Sequence, residues 1–265
     1  MPNAWPPAGV DPAKPSTARM YDYYLGGKDN FESDRVAARE VMAANPEVKV
    51  IARANRDFLV RAVEYMAAQG VRQFIDLGTG IPTSPNVHEI ALAARPDARV
   101  VYTDHDPIVM AHNRAILETH TGVLTVQADL RRPANILNHP GVQRLIDFSQ
   151  PYGLLLISVL HFVSDADDPK GIIARFRDQM APGGFLALST VTSEGLTPEE
   201  IERIEAIYTR AGVSPTGRTR EQITDLFAGF ELVEPGIVPV QSWRADGPET
   251  RSRLLAGVGR KENAS

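Results

Sequence analysis

The spacing of apolar residues along this chain changes near residue 71. Between Ser16 and Gly70 they recur at helical intervals. Helices are predicted over Ala18–Tyr24 and Phe31–Asn45, separated by the turn-forming LGGKDN. A third is predicted over Val48–Gln69, where Ile51, Phe58, Val63 and Met66 fall near helical spacing and Gly70 ends the run. Beyond this point short apolar runs alternate with helical ones. QFIDLG, ARVVYTD, LTVQAD, YGLLLISVL and GGFLALSTV read as five strands. The helices between them fall around Asn86–Ala94, Ile108–His120, Asn135–Ile146 and Lys170–Gln179, the third interrupted by Pro140 and Gly141. Pro198–Ala211 and Arg220–Phe227 add two more helices. FELVEPGIVPV and LLAGVGR, joined by the turn-rich SWRADGPETR, close the chain as a hairpin-like pair with one strand antiparallel. Continuous apolar runs suit strands covered on both faces, and strand-helix alternation implies right-handed crossovers. The expected fold class is α/β: a doubly wound, mostly parallel seven-stranded sheet with an N-terminal helical cap.

Composition narrows the picture. Residues 1–15, MPNAWPPAGVDPAKP, are too rich in proline and small residues to bury much surface and read as a flexible tail, followed by a cap over 16–70 and the ligand-binding domain over 71–265. With 43% hydrophobic residues in 265, the chain has ample core material, and the absence of cysteine removes disulfides, zinc-thiolate sites and thiol nucleophiles. The net charge of -5 and the lack of a Lys/Arg block argue against a nucleic-acid partner. No apolar run reaches bilayer length and the first residues lack a signal-peptide pattern, so a cytoplasmic protein without a membrane partner is expected. Nothing in the sequence sets an oligomeric state.

In open α/β sheets ligands gather beyond the carboxyl ends of the strands, so the residues following each strand carry the chemistry. The first strand delivers Asp76-Leu77-Gly78-Thr79-Gly80. Its glycines permit close backbone approach, although a G-x-G by itself also describes an ordinary tight turn. Asp76 would repel a pyrophosphate but can pair with an ammonium group, and Thr83 occupies the place of the third glycine of the dinucleotide fingerprint. Nicotinamide and flavin are therefore disfavoured; a cationic, amino-acid-bearing nucleoside fits better. The second strand ends in Tyr102-Thr103-Asp104-His105-Asp106-Pro107. Asp104 can accept from both hydroxyls of a ribose or cap the next helix; Asp106, directly before Pro107, suits the cap and Asp104 the ribose. After the third strand, Asp129 can take an adenine amino group and Leu130 its face, the alternative being a surface-loop acid.

The segments IDLGTG, YTDHDP, QADL, LLISVLHFVSD and APGGFLAL, in this order and spacing, resemble the successive motifs of Rossmann-like S-adenosylmethionine-dependent methyltransferases over roughly Arg72 to Lys261. STARMYDYYLGGKDNFESDR resembles the YDYLLGGKDNF-like signature of an actinobacterial family of S-adenosyl methyltransferases, which extends the likeness to nearly the whole chain. The resemblance implies S-adenosylmethionine as cofactor and S-adenosylhomocysteine as product. It implies that Gly78 and Gly80 border the methionine part, Asp104 the ribose, Asp129 and Leu130 the adenine, and Ser158 the region near the methyl group, with Thr79 and His105 counted among the cofactor-binding residues.

The signature also has a direct reading. Arg19 can either fork onto the methionine carboxylate or serve packing, and Tyr21 can stack on a ligand or face the core. His161, after the fourth strand, is the catalytic candidate: a pocket wall and a candidate general base, although methyl transfer rests chiefly on positioning. His88, His105, His112, His120 and His139 lack metal-ligand spacing, and Asp165, Asp167 and Asp168 read as solvated loop acids, so no metal is expected. SVLHFVSD, with no Asn-Pro-Pro-Tyr-like motif, sits nearer the small-molecule branch. The function expected is methylation of an oxygen, nitrogen or carbon of a small-molecule acceptor. A non-catalytic cofactor-binding sensor or scaffold and, more weakly, a nicotinamide-dependent oxidoreductase are the alternatives.

Overall fold

The computed structural model describes residues 10–116, 120–194, 197–210, 212–247 and 254–262. Helices Thr17–Leu25 (α1), Glu32–Ala44 (α2) and Val48–Ala68 (α3) precede the first strand, Gln73–Leu77 (β1). Val87–Ala94 (α4), Arg99–Asp104 (β2), Pro107–Ile116 (α5), Val123–Gln127 (β3), Pro133–Leu137 (α6), Pro140–Leu145 (α7) and Gly153–Ile157 (β4) follow. Pro169–Gln179 (α8), Phe185–Val191 (β5), Pro198–Arg210 (α9), Arg220–Asp225 (α10), Phe230–Leu232 (β6), Val238–Pro239 (β7) and Leu254–Lys261 (β8) complete the order. Residues 1–9 of the expected tail, the last turn of the helix expected over Ile108–His120, Ala211 and part of SWRADGPETR lie outside the described residues. The single helix expected over Asn135–Ile146 is two. Pro140 has no N–H to continue α6 and instead opens α7, where Nδ1 of His139 accepts from the Gly141 amide at 3.1 Å.

Among the described residues the strands form one sheet in the order β3-β2-β1-β4-β5-β8-β6, with β7 also pairing with β8. The first five strands are mutually parallel, and β8 runs antiparallel to β5, β6 and β7. The seventh, edge position is shared by β6 and β7, which pair with opposite ends of β8. Between them Pro235 offers no N–H to the ladder, and Gly236 turns the chain at φ 83°, its amide donating to the Val233 carbonyl at 2.9 Å.

Alternation along each strand distributes residues between two cores. On β1, Phe74 belongs to the core containing Phe58, Leu59 and Met66 of α3; Ile75 and Leu77 belong to the opposite one, with Ile172, Ile173 and Phe176 of α8. Full burial of each such side chain is worth about 1.5–3 kcal/mol, so this division fixes which way the strand faces. Asp76 therefore lies on the α3 face, and on β5 the same alternation puts Ser189 there beside Phe185 and Ala187. A third cluster, including Met20, Tyr24, Val41, Ala52 and Ile207, ties α1, α2 and α3 to α9. The cap is thus made from the N-terminal helices together with a helix inserted after β5. No helix among the described residues is long and apolar enough to cross a membrane.

Candidate active site

A cavity of about 680 Å³ opens at the carboxyl ends of β1 to β5, beneath the cap helices. The glycine loop after β1 forms its floor. Gly78 and Gly80 have φ 71° and 69°, a backbone region that other residues enter only with strain, and a Cβ on Gly78 would stand 2.4 Å from Cγ2 of Val159. The Gly78 and Thr79 amides donate to the Thr103 carbonyl at 2.8 and 3.1 Å, holding the loop against the end of β2. The Gly80 amide donates to Oδ2 of Asp104 at 3.0 Å and the Asp106 amide to Oδ1 at 3.0 Å. Asp104 is thereby fixed with its carboxylate at the cavity, while Asp106 caps α5 through the Ile108 amide at 2.8 Å.

Asp76 is 4% exposed and also lines the cavity. Burial lifts its carboxyl from the ordinary 3.8 to about 7; the Arg56 guanidinium opposes the rise and Asp104 adds to it. Burial likewise raises Asp104, with the Asp106 and Gly80 amides working the other way. Arg56, from α3, lines the same wall, and its Nη2 donates to the carbonyls of Thr83 and Pro85 at 2.7 and 2.8 Å. A carboxyl that ionises near neutrality beside a guanidinium suits a ligand end that carries both an ammonium and a carboxylate. Asp129 and Leu130 line the cavity after β3; Asp129 is held by Arg131 at 2.6 Å, which keeps its carboxyl below the usual range. His105 lines the rim, its side chain largely exposed and its Nδ1 3.5 Å from Asp104.

At the end of β4, Ser158 adopts φ 58°, and its amide donates to Oγ of Ser189 at 2.9 Å. Ser189 Oγ donates to Oδ1 of Asn55 at 2.6 Å, Nδ2 of Asn55 donates to the Tyr21 hydroxyl at 2.9 Å, and that hydroxyl donates to the Ala52 carbonyl at 3.1 Å. A buried chain of hydrogen bonds thus joins the α1 wall of the cavity to its β4 wall. His161 follows on the next turn, 6% exposed, with Nδ1 lacking a partner among the described residues. Burial, with the Arg218 guanidinium nearby, holds its pKa down at about 3, so the ring is neutral near pH 7. Arg218 is itself buried and fastens this turn by donating to the Leu160 and Val163 carbonyls at 2.9 and 2.7 Å and to Asp165 at 2.8 Å.

The structure gathers Tyr21, Asp76, Gly78, Thr79, Gly80, Asp104, His105, Asp129, Leu130, Ser158 and His161 around this one cavity. Arg19 is not among its lining residues: Nε donates to Oδ2 of Asp34 at 2.7 Å in a buried ion pair, and the guanidinium stacks 4.9 Å above the Phe31 ring. The acids after β4 are structural, Asp165 pairing with Arg218 and Asp168 capping α8 through the Gly171 amide at 2.9 Å. No cluster of potential metal ligands occurs among the described residues. Asn55, Arg56, Ser189 and Arg218 escaped the sequence reading. Only Asn55 left a trace, a polar residue four after Ile51 and three before Phe58 on the apolar face of α3.

The S-adenosyl methyltransferase family model matches residues 3–262. No curated protein matches the chain. Among solved structures it is similar to a candidate methyltransferase from Thermobifida fusca YX, with 42% identity over 98% of this chain and 100% of that one and a TM-score of 0.90. It is similar also to a DUF574 family protein from Streptomyces avermitilis ma-4680, with 40% identity over 95% and 99% and a TM-score of 0.89. The N-methyltransferase NodS of Bradyrhizobium japonicum WM9, in complex with S-adenosyl-l-homocysteine, shares the fold at 14% identity over 92% and 100%, with a TM-score of 0.51. The chain belongs to the S-adenosyl methyltransferase family and is an S-adenosylmethionine-dependent methyltransferase of Rossmann-like fold.

Proposed function

We propose that the enzyme methylates an oxygen, nitrogen or carbon of a small molecule held in the cavity under α1, α2 and α9. The observation carrying this reading is the continuity of that cavity, from the carboxylates at the strand ends to a chamber under the cap lined by His161, Phe162 and Tyr208. Its volume falls in the range of about 300–1,000 Å³ that buries a small ligand.

The donor set fits the cofactor. Asp76 and Arg56 would take the ammonium and carboxylate of its methionine part, a role that moves from Arg19 to Arg56. Gly78, Thr79 and Gly80 would lie against the same part, Asp104, with His105 at the rim, would accept from the ribose hydroxyls, and Asp129 and Leu130 would hold the adenine. Bound there, S-adenosylmethionine supplies an electrophilic methyl group on a sulfonium. The protein contributes position and dryness. Ser158, pinned by Ser189 and Asn55, fixes the wall between the two ends. His161, held unprotonated near neutrality by burial and by Arg218, would orient the acceptor by hydrogen bonding.

Calorimetric titration with S-adenosylmethionine and S-adenosylhomocysteine, alongside Asp104→Ala, tests the reading. Micromolar binding, about 8 kcal/mol, that collapses in the variant supports it. A folded protein that binds neither compound rejects it.

A further inference from the structure

The two ends of the cavity differ in chemistry. Asp76, Asp104, Asp129, Arg56 and Arg131 crowd the strand ends. Under the cap the wall is chiefly Tyr24, Val41, Ile51, Phe162, Ile204 and Tyr208, with Asn45 as a neutral polar member, and among the described lining residues there the charged one is Glu205, exposed on α9. The rings cluster: Phe162 lies 4.2 Å from the His161 ring and 5.8 Å from Tyr208, tilted by 56° and 54°. The Tyr24 and Tyr208 hydroxyls lie close enough to act on each other, and burial holds both in the neutral form. His161, nine-tenths buried in this wall, is uncharged near pH 7 and keeps Nδ1 without a partner among the described residues.

A carboxylate or ammonium brought into such a chamber sheds water, and the buried guanidinium nearby, Arg218, is already committed to Asp165 and to the Leu160 and Val163 carbonyls, so the ion gains no free counter-charge, which is unfavourable. A flat ring loses little entropy there and gains edge and face contacts with Phe162, Tyr208 and Tyr24. We propose that the methyl acceptor is an uncharged, ring-bearing and mostly apolar molecule, seated against Phe162, Tyr208 and Tyr24 with its polar accepting group toward His161 and Ser158. This rests on the methyltransferase reading above and adds the acceptor's chemical class to it.

Calorimetry on the protein saturated with S-adenosylhomocysteine, titrated with 2-naphthol, 2-naphthoate and 2-naphthylmethylammonium, separates the possibilities. The naphthol is expected to bind at least about tenfold tighter than either ion. Phe162→Ala should remove most of that affinity and Phe162→Tyr restore it, while S-adenosylhomocysteine binds all three proteins alike. Glu205→Gln should leave the preference in place. An ion that binds as tightly as the naphthol, indifference to Phe162→Ala, or no binding of any of the three probes overturns the proposal. Failure to bind S-adenosylhomocysteine in the first step instead rejects the reading on which it rests.

Discussion

Ser189 on β5 donates its hydroxyl proton to Oδ1 of Asn55 on α3 at 2.6 Å, with both residues buried and 134 positions apart in the chain. This contact is the midpoint of the hydrogen-bond chain from Tyr21 to Ser158, and it couples the cap to the strand ends. Asn55→Ala removes the acceptor of one buried hydroxyl and a donor to another. A buried group left unsatisfied costs about 1–3 kcal/mol, so urea unfolding should show a loss of about 2 kcal/mol, with weaker cofactor affinity in the folded protein. Unchanged stability and affinity would show that the chain carries no coupling.

The Asp76 carboxyl sets a pH dependence with a definite sign. Its folded pKa, about 7, lies above the ordinary 3.8, so the native state retains a proton that the unfolded chain releases first. The contribution is fully favourable below about pH 4, declines as pH rises toward 7 and is level above. Arg56, Asp104 and Tyr102 act on this carboxyl and remain in the variant. Ligand-free Asp76→Asn should therefore gain on the wild type across that window by at most about 1.4 kcal/mol per pH unit. Denaturant midpoints across the window read this directly, and parallel curves for the two proteins would refute it.

Cofactor binding should run the opposite way. If the ammonium pairs with ionised Asp76, affinity tightens by up to about tenfold per unit as pH rises to about 7, then weakens once the ammonium itself deprotonates near pH 8. Calorimetry in buffers of different ionisation heat would detect the accompanying proton release below pH 7. A flat profile would remove Asp76 from the ammonium site.

Arg19 and Arg56 should separate cleanly. Arg19→Met leaves Asp34 buried and charged without its partner, and breaking such a pair costs about 3–5 kcal/mol, read as a fall in stability with little change in cofactor affinity. Arg56→Ala should do the reverse, weakening cofactor binding by about tenfold or more, roughly 1.4 kcal/mol, at a smaller cost in stability. The opposite pattern would return the carboxylate role to Arg19.

Gly78→Ala introduces both a strained φ and a clash with Val159, together about 1–3 kcal/mol, and is expected to weaken cofactor binding by displacing the loop. Val159→Ala in the same chain relieves the Cγ2 contact but leaves the Val159 Cβ 2.9 Å from the new methyl. Partial recovery of binding in the double variant is expected, and strict additivity of the two changes would exclude a shared contact.

How far the sequence reached follows from what is local. Strand and helix positions were legible because apolar periodicity is a property of neighbouring residues. So were Gly78, Gly80, Asp104 and Asp129, because parallel strands deliver the residues that follow them to one edge of the sheet. Arg19 shows the limit. Its residue type and its place in a signature segment suggested a ligand, but Asp34, fifteen residues on, takes its guanidinium once α2 folds back on α1. Chain order and residue type therefore determined the sheet, the edge at which the cavity opens and the neighbourhood of His161. Tertiary packing alone decided that Arg56 acts on Asp76, that Asn55 meets Ser189, and that burial beside Arg218 lowers the pKa of His161. Each of these depends on which face of α3, β1 or β5 turns inward and on how much water is left around it, and no local pattern encodes the distance between segments that far apart.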